Sequence, residues 1–172
     1  MFFIRFFYIF AVTLLCEAFT IYITMSYEYK YPRPAVTADA VVITQKEPRK
    51  VLLIERGGEP FKGCWAMPGG FMNMDETTEQ CALRELEEET GLLLNEAKQI
   101  GCYSDVDRDP RGRTLSVAYL MMVEDELPVK GQDDARQARW WDLRNLPDLA
   151  FDHKKILEDA LNIIMPIEND YA

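Results

Sequence analysis

From Ala35 to Thr44 apolar positions alternate with polar ones and close on Val41, Val42 and Ile43, a pattern that predicts a β-strand. Lys46 to Lys50 is a polar turn with Pro48, and Val51 to Glu55 predicts a second, short buried strand. Gly57 to Gly70 is rich in glycine and proline and also holds Phe61 and Trp65, which predicts a structured loop. A helix follows. Thr77-Thr78-Glu79-Gln80 offers a capping box, Ala82, Leu83 and Leu86 form an apolar face, and Gly91 is a C-terminal stop. Lys98 to Ser104 and Thr114 to Val123 predict two strands, joined by the charged loop Asp105 to Arg113. Ala138 to Asp142, with Trp140 and Trp141, predicts a last short strand. Near Asp152 the period changes: Ile156, Leu157, Ala160, Leu161 and Ile164 sit at helical spacing until Pro166 ends the run. The sum is one mixed α/β domain, with no repeats and too little chain after Pro166 for a second.

The first 25 residues break this pattern. Met1 to Met25 is almost wholly apolar, interrupted by Arg5 and Glu17. Phe6 to Cys16 has the length of a signal-peptide core, and the whole stretch nearly reaches a bilayer span, although Glu17 is costly at depth. The reading favoured by the poor flanks is a translation start at Met25. Residues 1–25 are therefore set apart as an apolar leader from a domain at 26–172, and a membrane is a partner only if the leader is real.

Composition narrows the function classes. Of 172 residues, 48% are hydrophobic and 28% charged, which suits one globular core and excludes a disordered chain. A formal net charge of -10 repels nucleic-acid polymers, yet admits a small phosphate ester wherever a bound cation inverts the local field. Cys16, Cys64, Cys81 and Cys102 form no C-x-x-C pair, so zinc and dithiol chemistry lack support, and a reducing cytoplasmic location is the expectation.

The chemistry gathers between Gly70 and Leu92, in GFMNMDETTEQCALRELEEETGL. At about 100° per residue, Glu85, Glu88 and Glu89 fall within roughly a third of the helix circumference. Like charges at such spacing destabilise an isolated helix, and a hard divalent cation resolves the repulsion. Arg84 can pair with a carboxylate such as Glu76, and Gly69 and Gly70 allow a backbone carbonyl close to the metal. Taken alone, an E-x-x-E-E run is usually a solvated face.

Here the run sits in a longer pattern. Gly70, Glu76, Arg84, Glu85, Leu86, Glu88, Glu89, Gly91 and Leu92 fill every fixed position of G-x5-E-x7-R-E-U-x-E-E-x-G-U, U being apolar. A chance match has odds well below about one in a million. The segment is the Nudix box, and the chain from about Tyr31 to Met165 resembles Nudix hydrolases. The resemblance implies an α/β/α sandwich with a mixed β-sheet and hydrolysis of a nucleoside diphosphate linked to another group. It also implies Mg²⁺, with Mn²⁺ as an alternative, held by Glu85, Glu88, Glu89 and the Gly70 carbonyl, with Arg84 ordering the carboxylates. Such an ion polarises phosphoryl oxygens and activates water. A further carboxylate completes sites of this kind as ligand or base. Asp133 and Asp134 are the candidates, with Glu124 and Glu126 behind them.

Outside the box, Tyr103 to Arg111, Gln132-Asp-Asp-Ala135 and Phe151-Asp-His-Lys154 resemble the ADP-ribose pyrophosphatase branch, in which a proline lies downstream of the box, as Pro110 does here. Candidate substrate contacts are Arg56, Arg108, Arg111 and Arg113 for phosphate or ribose hydroxyls, and Trp65, Phe61 or Tyr103 for stacking on a base. His153, the only histidine, is expected to support the last helix or orient a loop. The expected product pair is AMP and ribose 5-phosphate. A hydrolase of oxidised nucleoside triphosphates shares the metal site. A Nudix-like ligand sensor shares the tail motifs, but is disfavoured by the intact box and by the absence of room for a DNA-binding domain. A homodimer is compatible with all three.

Overall fold

The computed structural model describes residues 28–164. The apolar leader, at 1–25, and the helix-ending Pro166 lie outside the described residues. The chain divides at Arg33 into two units. In the first, the Arg33 guanidinium stacks on the Tyr29 ring at 4.0 Å. The second, from Pro34, holds every regular element among the described residues. Among the described residues no helix is long and apolar enough to cross a membrane.

A seven-stranded mixed sheet is built from β1 (Ala35–Thr44), β2 (Lys50–Arg56), β3 (Trp65–Ala66), β4 (Gly69–Phe71), β5 (Lys98–Tyr103), β6 (Thr114–Val123) and β7 (Ala135–Asp142). Helix α1 (Thr78–Thr90) follows β4, and α2 (His153–Ile164) follows β7. The centre is β1, parallel to β6 in unbroken register from Ala35↔Thr114 to Thr44↔Val123. A strand covered on both faces reads as a near-continuous apolar run, as Ala38 to Ile43 does. Its even positions, Ala38, Ala40 and Val42, pack with Cys81, Ala82 and Leu86 of α1. The odd positions, Val41 and Ile43, pack with Ile156, Leu157 and Ala160 of α2. The period of 2 thus assigns one helix to each face, giving the α/β/α sandwich.

On its other side β1 changes partner. It meets β2 at Ile43↔Val51, then pairs with β4 at Thr37↔Phe71, Ala38↔Gly70 and Asp39↔Gly69. Meanwhile β2 pairs with β7 along its length and with β3 at Ile54↔Ala66. Beyond Ile43 and Val51 the two strands therefore hold different neighbours, and their far ends, at Thr37, Asp39, Ile54 and Arg56, line a common cavity.

Two expectations are corrected. The stretch Gly57 to Gly70 is not loop throughout: it contains β3 and begins β4. Glycine masks the strand signal because β4 lies so close to its neighbours that a Cβ on Gly69 would meet the Ala38 carbonyl O. The last strand starts at Ala135, not Ala138, since its first residues pair with the end of β2, with a shift of register between Glu55 and Arg56.

Candidate active site

Helix α1 is held at both ends. Thr77 accepts the Gln80 amide while the Gln80 side chain accepts from the Thr77 amide, which closes the capping box. At the other end Gly91 takes the left-handed conformation, φ 71°, and donates to the Glu87 carbonyl. Between these caps the acidic face is aimed at the cavity, where Arg84 is its hub. Its guanidinium grips Glu76 bidentately (Nε to Oε2 2.9 Å, Nη2 to Oε1 2.7 Å) and reaches Glu85 at 2.7 Å and Glu88 at 2.9 Å. These bonds hold the Glu76 carboxyl down at about 2.

Glu89 differs. Only 6% exposed, it accepts one backbone donor, Gly69 N–H at 2.9 Å. Burial pushes its carboxyl up to about 8, and neighbouring Glu85 and Asp39 add to the rise. Burial raises Glu85 as well. At Gly70 a Cβ would lie 2.5 Å from the Glu85 carboxyl, so only glycine allows the strand this close to the helix.

Among the described residues no three acidic, histidine or cysteine side chains converge as a closed metal cluster, because Arg84 engages Glu85 and Glu88 and the Gly69 amide engages Glu89. The donor set nevertheless fits a hard divalent cation: carboxylate oxygens in excess of the nearby positive charge, one of them buried and held above its ordinary range, beside a glycine backbone that approaches without a side chain. Glu85, Glu88, Glu89 and the Gly70 carbonyl would hold it.

The cavity, of about 400 Å³, also has a cationic wall. Arg56 leaves the end of β2, donates Nε–H to the Pro60 carbonyl and stacks its guanidinium 4.9 Å from the Phe151 ring centre. Burial lowers its pKa, and the nearby Arg111 adds to that. Arg111 is fixed bidentately by the buried Asp109 and lies over both Phe71, at 5.0 Å, and Phe151, at 5.6 Å. Phe151 also packs edge to face on Phe61, with ring centres 4.8 Å apart. Both phenylalanines have left-handed backbones, φ 63° at Phe61 and 52° at Phe151. An L-residue pays about 1–2 kcal/mol for that conformation.

The floor is a buried polar set. Ser116 donates its hydroxyl to Asp39, and His153 Nε2 stands 3.9 Å from the other Asp39 oxygen. The Met67 amide donates to His153 Nδ1 at 2.9 Å, which puts the proton of a neutral imidazole on Nε2. Burial lowers the His153 pKa and keeps it neutral. The histidine therefore holds the approach to β4 in place.

Ten residues expected from the sequence line this one cavity: Arg56, Gly70, Arg84, Glu85, Glu88, Glu89, Arg108, Arg111, Asp133 and Asp134. The Asp133–Asp134 loop is docked on the end of α1, where Gln132 N–H bonds the Glu89 carbonyl and Lys130 N–H the Thr90 carbonyl. Arg108 lines the cavity but is committed, its buried guanidinium forked onto Asp152 at 2.6 and 3.0 Å.

Four expected residues do not line it: Phe61, which packs on Phe151 instead, and three more. Trp65 packs edge to face on Trp141 at 5.0 Å. Tyr103 is buried beneath α2 and donates to Asp159 at 2.8 Å. Arg113 caps the Ser104 and Asp105 carbonyls. Glu126, a runner-up carboxylate, pairs with Lys50, and neither it nor Glu124 lines the cavity.

The sequence reading gave no role to Asp39, Asp109, Glu59, Phe71 or Phe151, all of which line the cavity. Asp39 did carry a signal: it is the one charged residue in the apolar strand Ala35–Thr44.

The NUDIX domain matches residues 33–160 of the chain. An ADP-ribose pyrophosphatase of Methanocaldococcus jannaschii is 46% identical over 132 residues, covering 76% of this chain and 75% of that one. The ADPR responsive transcriptional repressor NtrR of Acinetobacter baylyi is 32% identical over 135 residues, which are 76% of this chain and 54% of the repressor. Among solved structures, the NUDIX domain of Shewanella oneidensis NrtR, complexed with ADP ribose, superposes with a TM-score of 0.74 at 32% identity, over 81% of this chain and 94% of that one.

Proposed function

The chain belongs to the Nudix hydrolases, enzymes acting on diphosphate bonds, and on that premise we propose that it is an Mg²⁺-dependent ADP-ribose pyrophosphatase yielding AMP and ribose 5-phosphate. One observation carries the proposal: a single cavity is lined both by a carboxylate face (Glu85, Glu88, Glu89) and by two arginines, Arg56 and Arg111, backed by aromatic rings. A diphosphate between two riboses uses both walls, and the volume falls within the usual range for small-ligand sites. The 46% identity with the Methanocaldococcus jannaschii pyrophosphatase supports the same substrate.

Glu85, Glu88, Glu89 and the Gly70 carbonyl would hold a divalent cation, which would polarise the phosphoryl oxygens and lower the pKa of the attacking water. The chain's own residues do the rest. Arg84 holds Glu85 and Glu88 at fixed separation through the Glu76 anchor. Arg56 and Arg111 present guanidinium forks to diphosphate oxygens, which such donors bind bidentately. Asp133 and Asp134 stand at the rim as candidate bases, and Phe71 offers an exposed ring for a base to stack on.

Turnover with Mg²⁺ of ADP-ribose, 8-oxo-dGTP, NADH and diadenosine polyphosphates, with products identified, tests the substrate. The likeness to an ADPR-responsive repressor favours a second reading, a sensor. It would show ADP-ribose binding with no AMP released.

A further inference from the structure

We propose that Phe151 is a positioning residue for the diphosphate: its ring, held on a left-handed backbone, presents the Arg56 and Arg111 guanidiniums side by side at the cavity wall. The inference deepens the proposed function and rests on it for the substrate, but not for the geometry.

The backbone shows how the conformation is maintained. On one side of Phe151, Ala150 is fully buried and donates its amide to the Trp65 carbonyl at 2.8 Å. On the other side, Asp152 is forked onto Arg108, and His153 accepts the Met67 amide at 2.9 Å. Three flanking residues are thus tied to two other segments of chain, one at Trp65 and Met67 and one at Arg108. An unfavourable φ of 52° persists only where the surroundings over-determine it in this way.

The side chain shows what the conformation is for. A turn into α2 needs no ring, and glycine would adopt this φ without strain. The ring that is present contacts two cations, Arg56 at 4.9 Å and Arg111 at 5.6 Å, both within the reach of a cation–π interaction. Phe61, itself at φ 63°, supports the ring edge to face from the loop after β2. Two like charges set against one aromatic ring repel each other, and their arrangement is matched by a ligand with adjacent negative charges. A diphosphate has that form. The sequence had singled out Phe151-Asp-His-Lys154 without a role for its first residue, and this assignment supplies one.

The test compares Phe151→Leu, which keeps the apolar bulk and the Cβ, with Phe151→Tyr, which keeps the ring. The first readout needs no substrate. In the free protein the ring current displaces the NMR signals of the Arg56 and Arg111 Nε–H groups. The displacement should survive in Phe151→Tyr; in Phe151→Leu it should collapse at Arg56 and shrink at Arg111, which also lies over the Phe71 ring at 5.0 Å, and unchanged signals at Arg56 in Phe151→Leu would overturn the proposal. The second readout is kinetic. With ADP-ribose, Phe151→Leu should raise KM about tenfold with kcat largely retained, while Phe151→Tyr stays near wild type. A wild-type KM in Phe151→Leu, or a loss of kcat that merely follows a fall in Tm in both variants, contradicts it. Should Phe151→Leu fail to fold, Phe61→Leu removes the supporting ring alone and is read by the same two measurements. If the wild-type protein does not cleave ADP-ribose, the proposed function fails, and the NMR comparison still decides the role of Phe151.

Discussion

At Glu89 two demands oppose each other. Burial favours the protonated carboxyl and sets its pKa at about 8 against an ordinary 4.5, while holding a cation needs the carboxylate. The folded metal-free protein therefore keeps a proton that the unfolded chain has lost over that interval. Its contribution to stability is fully present below about pH 4.5 and is lost as pH rises through about 8. In EDTA, the Tm of the wild type should fall more between about pH 5 and pH 9 than that of Glu89→Gln, which has no proton to lose. Parallel curves contradict the buried-carboxyl assignment. Binding of Mg²⁺ near neutrality should then release a proton, visible by titration calorimetry in buffers of different ionisation heat. In turnover, Glu89→Gln should lose at least about 100-fold in kcat while remaining folded, because a ligand to the cation is gone. Arg108 and Asp152 illustrate a different use of charge: the guanidinium is 4% exposed and its partner 16%. Removing one member leaves the other buried and unpaired, so Asp152→Ala should cost about 3–5 kcal/mol in denaturant unfolding. A cost under about 1 kcal/mol would place the pair among ordinary surface bridges.

At the scale of elements, what could be read from the sequence was whatever depends on local pattern. The strands Ala35–Thr44 and Thr114–Val123 were legible to the residue, because ten positions of apolar patterning leave little choice of register. The caps of α1 were equally plain, since Thr77, Gln80 and Gly91 act through bonds to their own helix. Strands β3 and β4 were hidden because pairing with β1 and β2, not propensity, makes Gly69–Phe71 extended. Phe151 was hidden because nothing in a phenylalanine announces a left-handed backbone. Tyr103 and Arg113 sit near the expected arginine loop in sequence, but they turn to Asp159 and to the loop's own carbonyls. Thr77→Ala should cost about 1 kcal/mol of stability by removing the cap. Gly91→Ala should cost more than an ordinary exposed glycine, since its Cβ both strains φ 71° and meets Gln132 Nε2 at 2.9 Å, on the loop that carries Asp133 and Asp134.

At the scale of the whole molecule, the acidic chain becomes a phosphate-binding protein by segregating its charge. Net charge is -10, yet Arg56 and Arg111 both line the cavity, together with the carboxylates that would hold a cation. This segregation depends on the divergence of β1 and β2, a long-range feature no local pattern reveals. The unit that holds the regular elements among the described residues begins at Pro34, so a chain starting at Met25 should match the full chain in kcat/KM. A loss of activity on removing residues 1–24 would give the apolar leader a role in the domain. The central claim, that one cavity binds a diphosphate between two sugars and hydrolyses it with a cation, is tested most directly by kcat/KM for ADP-ribose against 8-oxo-dGTP, NADH and diadenosine polyphosphates at equal Mg²⁺. The account predicts that ADP-ribose is preferred and that AMP and ribose 5-phosphate appear in equal amounts. A preference of about tenfold or more for any competitor, equivalent to about 1.4 kcal/mol in transition-state binding, would contradict it.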